Sequence, residues 1–161
     1  MDPITIATAV ITIVGASFNI ATFLYNSHER YRRADQQVTH FNEQIERFRN
    51  TWELVNRRAE RWRPNLTADL RDELATLSAG SAELLEEMRV TLERFIVNDK
   101  RRLNRDLSII SLLPFFRNDH RGFKNQVRRW RVFFDRDDMK DSLERMRDYG
   151  LTLSLILNMI K

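Results

Sequence analysis

The chain has 161 residues and no cysteine, which excludes a disulfide framework, a thiolate nucleophile and a cysteine-based metal site. Four glycines and three prolines leave few turns for a sheet, so one domain of long helices spanning residues 1–161 is expected. The net charge of +4 rests on 27 basic residues, 23 of them arginine, a bias toward bidentate contacts with carboxylates or phosphates.

The first element is the least charged. Ile4 to Tyr25 carries no charge across 22 residues in a chain that is 31% charged, and a helix is expected over 1–25. Twenty-two helical residues rise roughly 33 Å, close to the roughly 30 Å of a bilayer's hydrocarbon core. Thr5, Thr8, Thr12, Gly15, Asn19 and Thr22 form one small, weakly polar stripe. Nearly opposite run Ile6, Val10, Ile13, Ser17, Ile20 and Leu24, and a third side holds Ile4, Ala7, Ile11, Val14, Phe18 and Ala21. The apolar arc is wider than a surface helix needs, so this helix is buried on most sides or meets lipid for part of its life. Asp2 and Pro3 stand where a secretory signal would be positive, and no clear small-residue cleavage site follows before His28.

A long amphipathic helix follows over 28–63. Tyr31, Ala34, Val38, Phe41, Ile45, Phe48, Trp52, Val55, Ala59 and Trp62 alternate at three and four residues, and Pro64 stops the run. The next is expected over 67–98, with Asn65 or Thr67 as its cap. Its inward positions are Leu70, Leu74, Leu77, Ser81, Leu84, Met88, Leu92 and Phe95, and Gly80 marks a bend or a close crossing. Residues 99–122 are the least regular: an apolar run from Leu103 to Leu113 ends at Pro114, and Phe115 to Gly122 reads as a connection with partly buried aromatics. A short helix over 123–134 turns Phe123, Val127, Trp130 and Phe134 inward. The last helix, 136–160, starts in a run of acids and keeps Met139, Leu143, Met146, Gly150, Leu153, Leu157 and Ile160 in register. Leu151-Thr152-Leu153-Ser154-Leu155 also has a strand's period of two, but the unbroken register decides for helix. The fold class is therefore all-α, a bundle of four to five long helices with a hydrophobic N-terminal one.

The charge is unevenly spread: residues 98–134 hold ten Lys/Arg against three acids, and residues 65–97 hold three against seven. The basic block around Arg128, Arg129 and Arg131 suits nucleic acid or anionic lipid, or else a solvated face that neutralises the acidic helix. Trp52, Trp62 and Trp130 sit at core spacing, though tryptophan also anchors at membrane interfaces. Enzyme chemistry is not expected. His28, His40 and His120 lack partner acids at metal-ligand or acid/base spacing, and no Gly-rich phosphate loop, G-x-S-x-G or H-E-x-x-H occurs. No cofactor or metal is expected, and nucleic-acid binding would rest on charge alone.

Met1-Asp2-Pro3-Ile4 before small and apolar residues, then long charged helices, resembles the HeLo-like N-terminal domain of fungal STAND (NOD-like) receptors. The Trp130-Arg131 region and the segment from Asp138-Met139 through Leu143 and Arg147 to Leu151, Leu153 and Leu157 resemble that family's closing basic-aromatic segment and Leu-rich helix. The family is similar to the four-helix killer domain of mixed-lineage kinase domain-like pseudokinase. The resemblance implies a domain that is cytoplasmic at rest and reaches the plasma membrane on activation, after a C-terminal receptor or amyloid-signalling partner clusters it. There it permeabilises the bilayer, causing programmed cell death in non-self recognition. On that basis the membrane-inserting residues are Ile4, Ile6, Val10, Ile11, Ile13, Val14, Phe18, Ile20, Phe23 and Leu24. Thr8, Thr12 and Gly15 form a helix-packing stripe between copies, where the family often has glycines. Lys100, Arg101, Arg102, Lys124, Arg128, Arg129 and Arg131 contact anionic lipid. The alternative is a cytosolic interaction module in which Ile4–Tyr25 stays buried and the domain only transmits assembly or recruits partners.

Overall fold

Proline lacks a backbone donor that a first helical turn would leave unpaired, so it is well suited to open a helix. Pro3 does so in the first element, α1 (Pro3–His28). The computed structural model describes the backbone of residues 3–28, 36–110 and 128–160, and the side chains of 8–22, 36–98, 101 and 128–160. After α1 come α2 (Gln36–Arg61), α3 (Ala68–Ile110), α4 (helical over 128–134) and α5 (Asp137–Met159). The protein is an all-α bundle. α1 packs on α2 and α3, and α5 packs on the same two helices, so α1 and α5 occupy diagonal corners.

Periodicity sets the core. In α2 the expected positions Val38, Phe41, Ile45, Phe48, Trp52, Val55 and Ala59 are all buried. α3 contributes Leu74, Leu84, Met88 and Leu92, α5 contributes Met139, Met146, Leu153 and Leu157, and Ile160 just after α5 is buried as well. α1 and α3 are the most extensively packed pair. Both carry small buried side chains, Ala16 and Ser17 on α1 and Ala75, Ser78 and Ser81 on α3, which favour close approach of helix axes. From α4, Trp130, Phe133 and Phe134 enter the core, where Phe133 stacks on Phe95 at 4.3 Å and Phe134 meets Phe41 of α2 at 5.1 Å.

The boundaries differ from the sequence pattern in several places. His28 belongs to α1, and α2 begins at Gln36 within the described residues, not at 28. α2 ends at Arg61 because the chain tightens into a 3-10 turn over Arg63–Asn65 around Pro64. That turn leaves Trp62 39% exposed and out of the core. Of the two candidate caps, Thr67 is the one used: its Oγ1 accepts a bond from the Leu70 N–H at 3.3 Å. α3 does not stop at 98 but continues to Ile110. Tyr31, Ala34, Phe123, Val127, Pro114 and the connecting segment lie outside the described residues.

Gly80 marks a crossing, not a bend, since α3 runs through it unbroken. A Cβ built there would lie 2.6 Å from the Tyr149 Oη of α5. Arg145 of α5 reaches Glu87 of α3 at 3.4 Å, and the neighbouring Tyr149 hydroxyl and Glu87 hold its guanidinium's pKa above the ordinary value, Tyr149 most strongly. Gly15 is the opposite case, with nothing within 4 Å of the equivalent position. Two helical glycines should therefore respond with opposite sign. Gly15→Ala stabilises by about 1 kcal/mol through helix propensity. Gly80→Ala gains the same propensity but loses about 1–3 kcal/mol to overpacking, and in a Tyr149→Phe background that loss shrinks. Thermal melts of the four variants check both signs.

Solvated faces are laced by local ion pairs. Arg89 forks onto Glu86 at 2.7 Å and reaches Glu93 at 2.6 Å, and its hydrogen bonds to Glu86 hold that carboxyl below the usual carboxylate range. Across the bundle, the Arg58 Nη1 donates to the Leu157 carbonyl at 2.9 Å, a cation set at the C-terminal end of α5.

Candidate functional site

The candidate site is the outer surface of α1. Of its three stripes, the bundle takes the one through Val10, Ile13, Ser17 and Ile20, all buried. Ser17 tolerates burial because its hydroxyl donates to the Ile13 carbonyl at 2.7 Å. The threonine stripe faces outward: Thr8, Thr12, Gly15, Asn19 and Thr22 are exposed, and the Thr12 hydroxyl donates to the Thr8 carbonyl at 3.1 Å. The third stripe lies at the margin. Val14 and Ala21 are half-buried, but Ile11 is 72% and Phe18 62% exposed.

The helix thus shows the bundle one apolar face and shows solvent a second, incomplete one. Ile11 and Phe18 are seven residues apart and stack on the same side over two turns. The candidate residues Ile4, Ile6, Phe23 and Leu24 belong to α1, but their side chains lie outside the described set. Among the described residues, no helix is long and apolar enough to cross a membrane. They also contain no group of acids and histidines that could hold a metal.

The described basic candidates divide between α3 and α4. Arg101 of α3 and Arg128 and Arg131 of α4 are exposed, and Arg129 is half-buried. Arg129 and Arg131 are both engaged with neighbours in the fold. Lys100 and Arg102 lie on the α3 backbone with side chains outside the described set, and Lys124 lies outside the described residues.

Two features escaped the sequence pattern. Arg94 and Arg136 join Arg129 around one groove, which only the packing of α3 against α4 and the start of α5 creates. Leu151, Leu155 and Met159 form an exposed apolar row on α5, at spacings of four that coexist with the buried register. The sequence signal for that row was the charge-free run from Tyr149 to Ile160. Trp52 and Trp130 are buried, as core spacing implied. Comparison with protein-family models, with curated proteins and with solved structures finds no match.

Proposed function

We propose that the chain is a membrane-targeting effector domain of the HeLo-like kind, whose α1 leaves the bundle after clustering and permeabilises the plasma membrane in cell death linked to non-self recognition. One observation carries the reading: α1 has no Asp, Glu, Lys or Arg, and among its described residues it buries the stripe through Val10, Ile13, Ser17 and Ile20 but displays Ile11 and Phe18 to solvent. A helix that serves only as core keeps its large apolar residues inside. In lipid, exposed apolar side chains lose their penalty, and the outward stripe of Thr8, Thr12 and Gly15 permits close approach between copies. No single constitutive span is required, because clustered helices share these stripes. Arg101, Arg128 and Arg131 add attraction to an anionic leaflet, roughly 1 kcal/mol per well-placed residue. A receptor or amyloid-signalling partner would supply the clustering.

The test uses the chain's lack of cysteine. Ser17 is only 1% exposed, and Ser17→Cys is nearly isosteric, so a thiol placed there reports the seat of α1. A thiol reagent should react slowly in solution and fast once the clustered protein meets anionic vesicles. Equal, slow reaction in both states would sink the proposal. It would favour the second reading, an interaction module, which the exposed Leu151, Leu155 and Met159 of α5 support.

A further inference from the structure

One side of α5 is left uncovered by the bundle from Asp141 to Met159. Asp141, Glu144, Asp148, Leu151, Leu155 and Met159 follow one another at spacings of three and four, share that side, and are all exposed. The core takes the opposite side through Met146, Leu153 and Leu157. The stripe changes character at its middle, from three acids to three large apolar side chains that are 61%, 65% and 73% exposed. Arg145 and Arg147 flank the acids, with Arg145 turned to Glu87 of α3. No Asp, Glu, Lys or Arg occurs between Tyr149 and Ile160. The apolar half lies beside a basic end of the bundle, because the Arg58 Nη1 donates to the Leu157 carbonyl. Residues 57–63 at that end hold four arginines against one acid, and Arg57, Arg61 and Arg63 are exposed.

We infer that this stripe is an interface between two copies of the chain, their α5 helices lying antiparallel across a two-fold axis at Leu155. An isologous contact sets a surface against itself, so it needs a patch that does not repel its own copy. The uncharged row from Leu151 to Met159 meets that condition. Parallel pairing would lay Asp141, Glu144 and Asp148 on themselves. Antiparallel pairing sets Leu151 against Met159 of the second copy and brings the arginine-rich end of each copy toward the acids of the other. An anionic lipid surface would suit the row and the arginines but would repel the three acids in line with them. The row covers about 12 Å of helix, so the dimer is expected to be weak, with a Kd above about 1 μM. The inference goes beyond the membrane reading and does not rest on it, since α1 packs on other faces of α2 and α3.

Sedimentation velocity of the full chain across a concentration series reads the dimer, and a reversible monomer–dimer equilibrium is expected. Leu155→Glu sets two carboxylates together at the axis and removes two leucines from the contact. It should weaken the dimer about a hundred-fold or more. Val97→Glu alters an apolar side chain of α3 that is 44% exposed and should leave the dimer unchanged. Both positions face solvent, so both variants should keep the helical circular dichroism of the parent. Cysteine substitution gives the orientation in a chain that has no other thiol. A disulfide needs Cβ atoms about 4 Å apart. Leu151→Cys mixed with Met159→Cys should therefore form linked heterodimers on mild oxidation faster than either variant links to itself. Faster homodimers would show a parallel contact and overturn the inference. So would a monomer at every concentration, or a dimer that Leu155→Glu leaves intact. A monomer whose co-sedimentation with anionic vesicles falls in Leu155→Glu would overturn it in favour of a lipid surface. Thiol accessibility at Ser17→Cys reads α1 separately, so failure here leaves the α1 proposal standing.

Discussion

Ile11→Glu and Phe18→Glu, combined in one chain, should leave the melting temperature almost unchanged and abolish dye release from anionic vesicles. The separation of the two effects follows from position. Both side chains are mostly solvent-exposed in the bundle, where substitutions usually shift stability by no more than about 0.5 kcal/mol. In a bilayer the same changes place two carboxylates on an inserting helix. Insertion scales assign about 2.5–3.5 kcal/mol to a charge such as aspartate at a helix centre, so the pair would oppose insertion by about 5–7 kcal/mol. Glutamate is preferred to lysine because lysine would add attraction to the anionic leaflet. Undiminished leakage from the double variant would remove α1 from the membrane step.

The inner face should give the reverse. Ile13→Ala and Ile20→Ala remove fully buried side chains that seat α1, at about 2–5 kcal/mol each. If release of α1 limits activity, these variants melt earlier and leak vesicles faster, at lower protein concentration, than the wild type. Met146→Ala is the control. It truncates a buried side chain of α5 for a similar loss of stability but leaves the seat of α1 intact. Faster leakage from Met146→Ala as well would mean that leakage reports general instability rather than release of one helix.

How far the sequence could be read depended on how sharply apolar and charged residues segregate. In α2 every expected inward position from Val38 to Ala59 is buried, because arginine, glutamate and glutamine fill the gaps between them. In α1 the same reasoning gave three stripes but not which one meets the core, since two of them are apolar. Packing chose Val10, Ile13, Ser17 and Ile20. The extension of α3 to Ile110 was hidden by Asp99-Lys100-Arg101-Arg102, a charged run that interrupts the apolar period without breaking the backbone. Phe133 was missed because Trp130 and Phe134 already satisfied a single stripe, whereas α4 buries a wider arc. The groove arginines come from three elements, so no local spacing links Arg94 to Arg129 and Arg136. The membrane reading rests on resemblance and on the character of α1, neither of which a count of spacings can decide.

The diagonal placement of α1 and α5 has a consequence for cooperativity. Each helix packs on α2 and α3, and they share no substantial interface with each other. If α1 leaves as proposed, α5 would still contact α2 and α3, with the Arg58–Leu157 bond and the Gly80–Tyr149 crossing untouched. The proposed departure would then be a subglobal opening that gives up the two largest interfaces of the bundle while those of α5 remain. Amide protons of α1 would exchange through that opening, while the slowest protons of α3 and α5 would wait for the whole bundle.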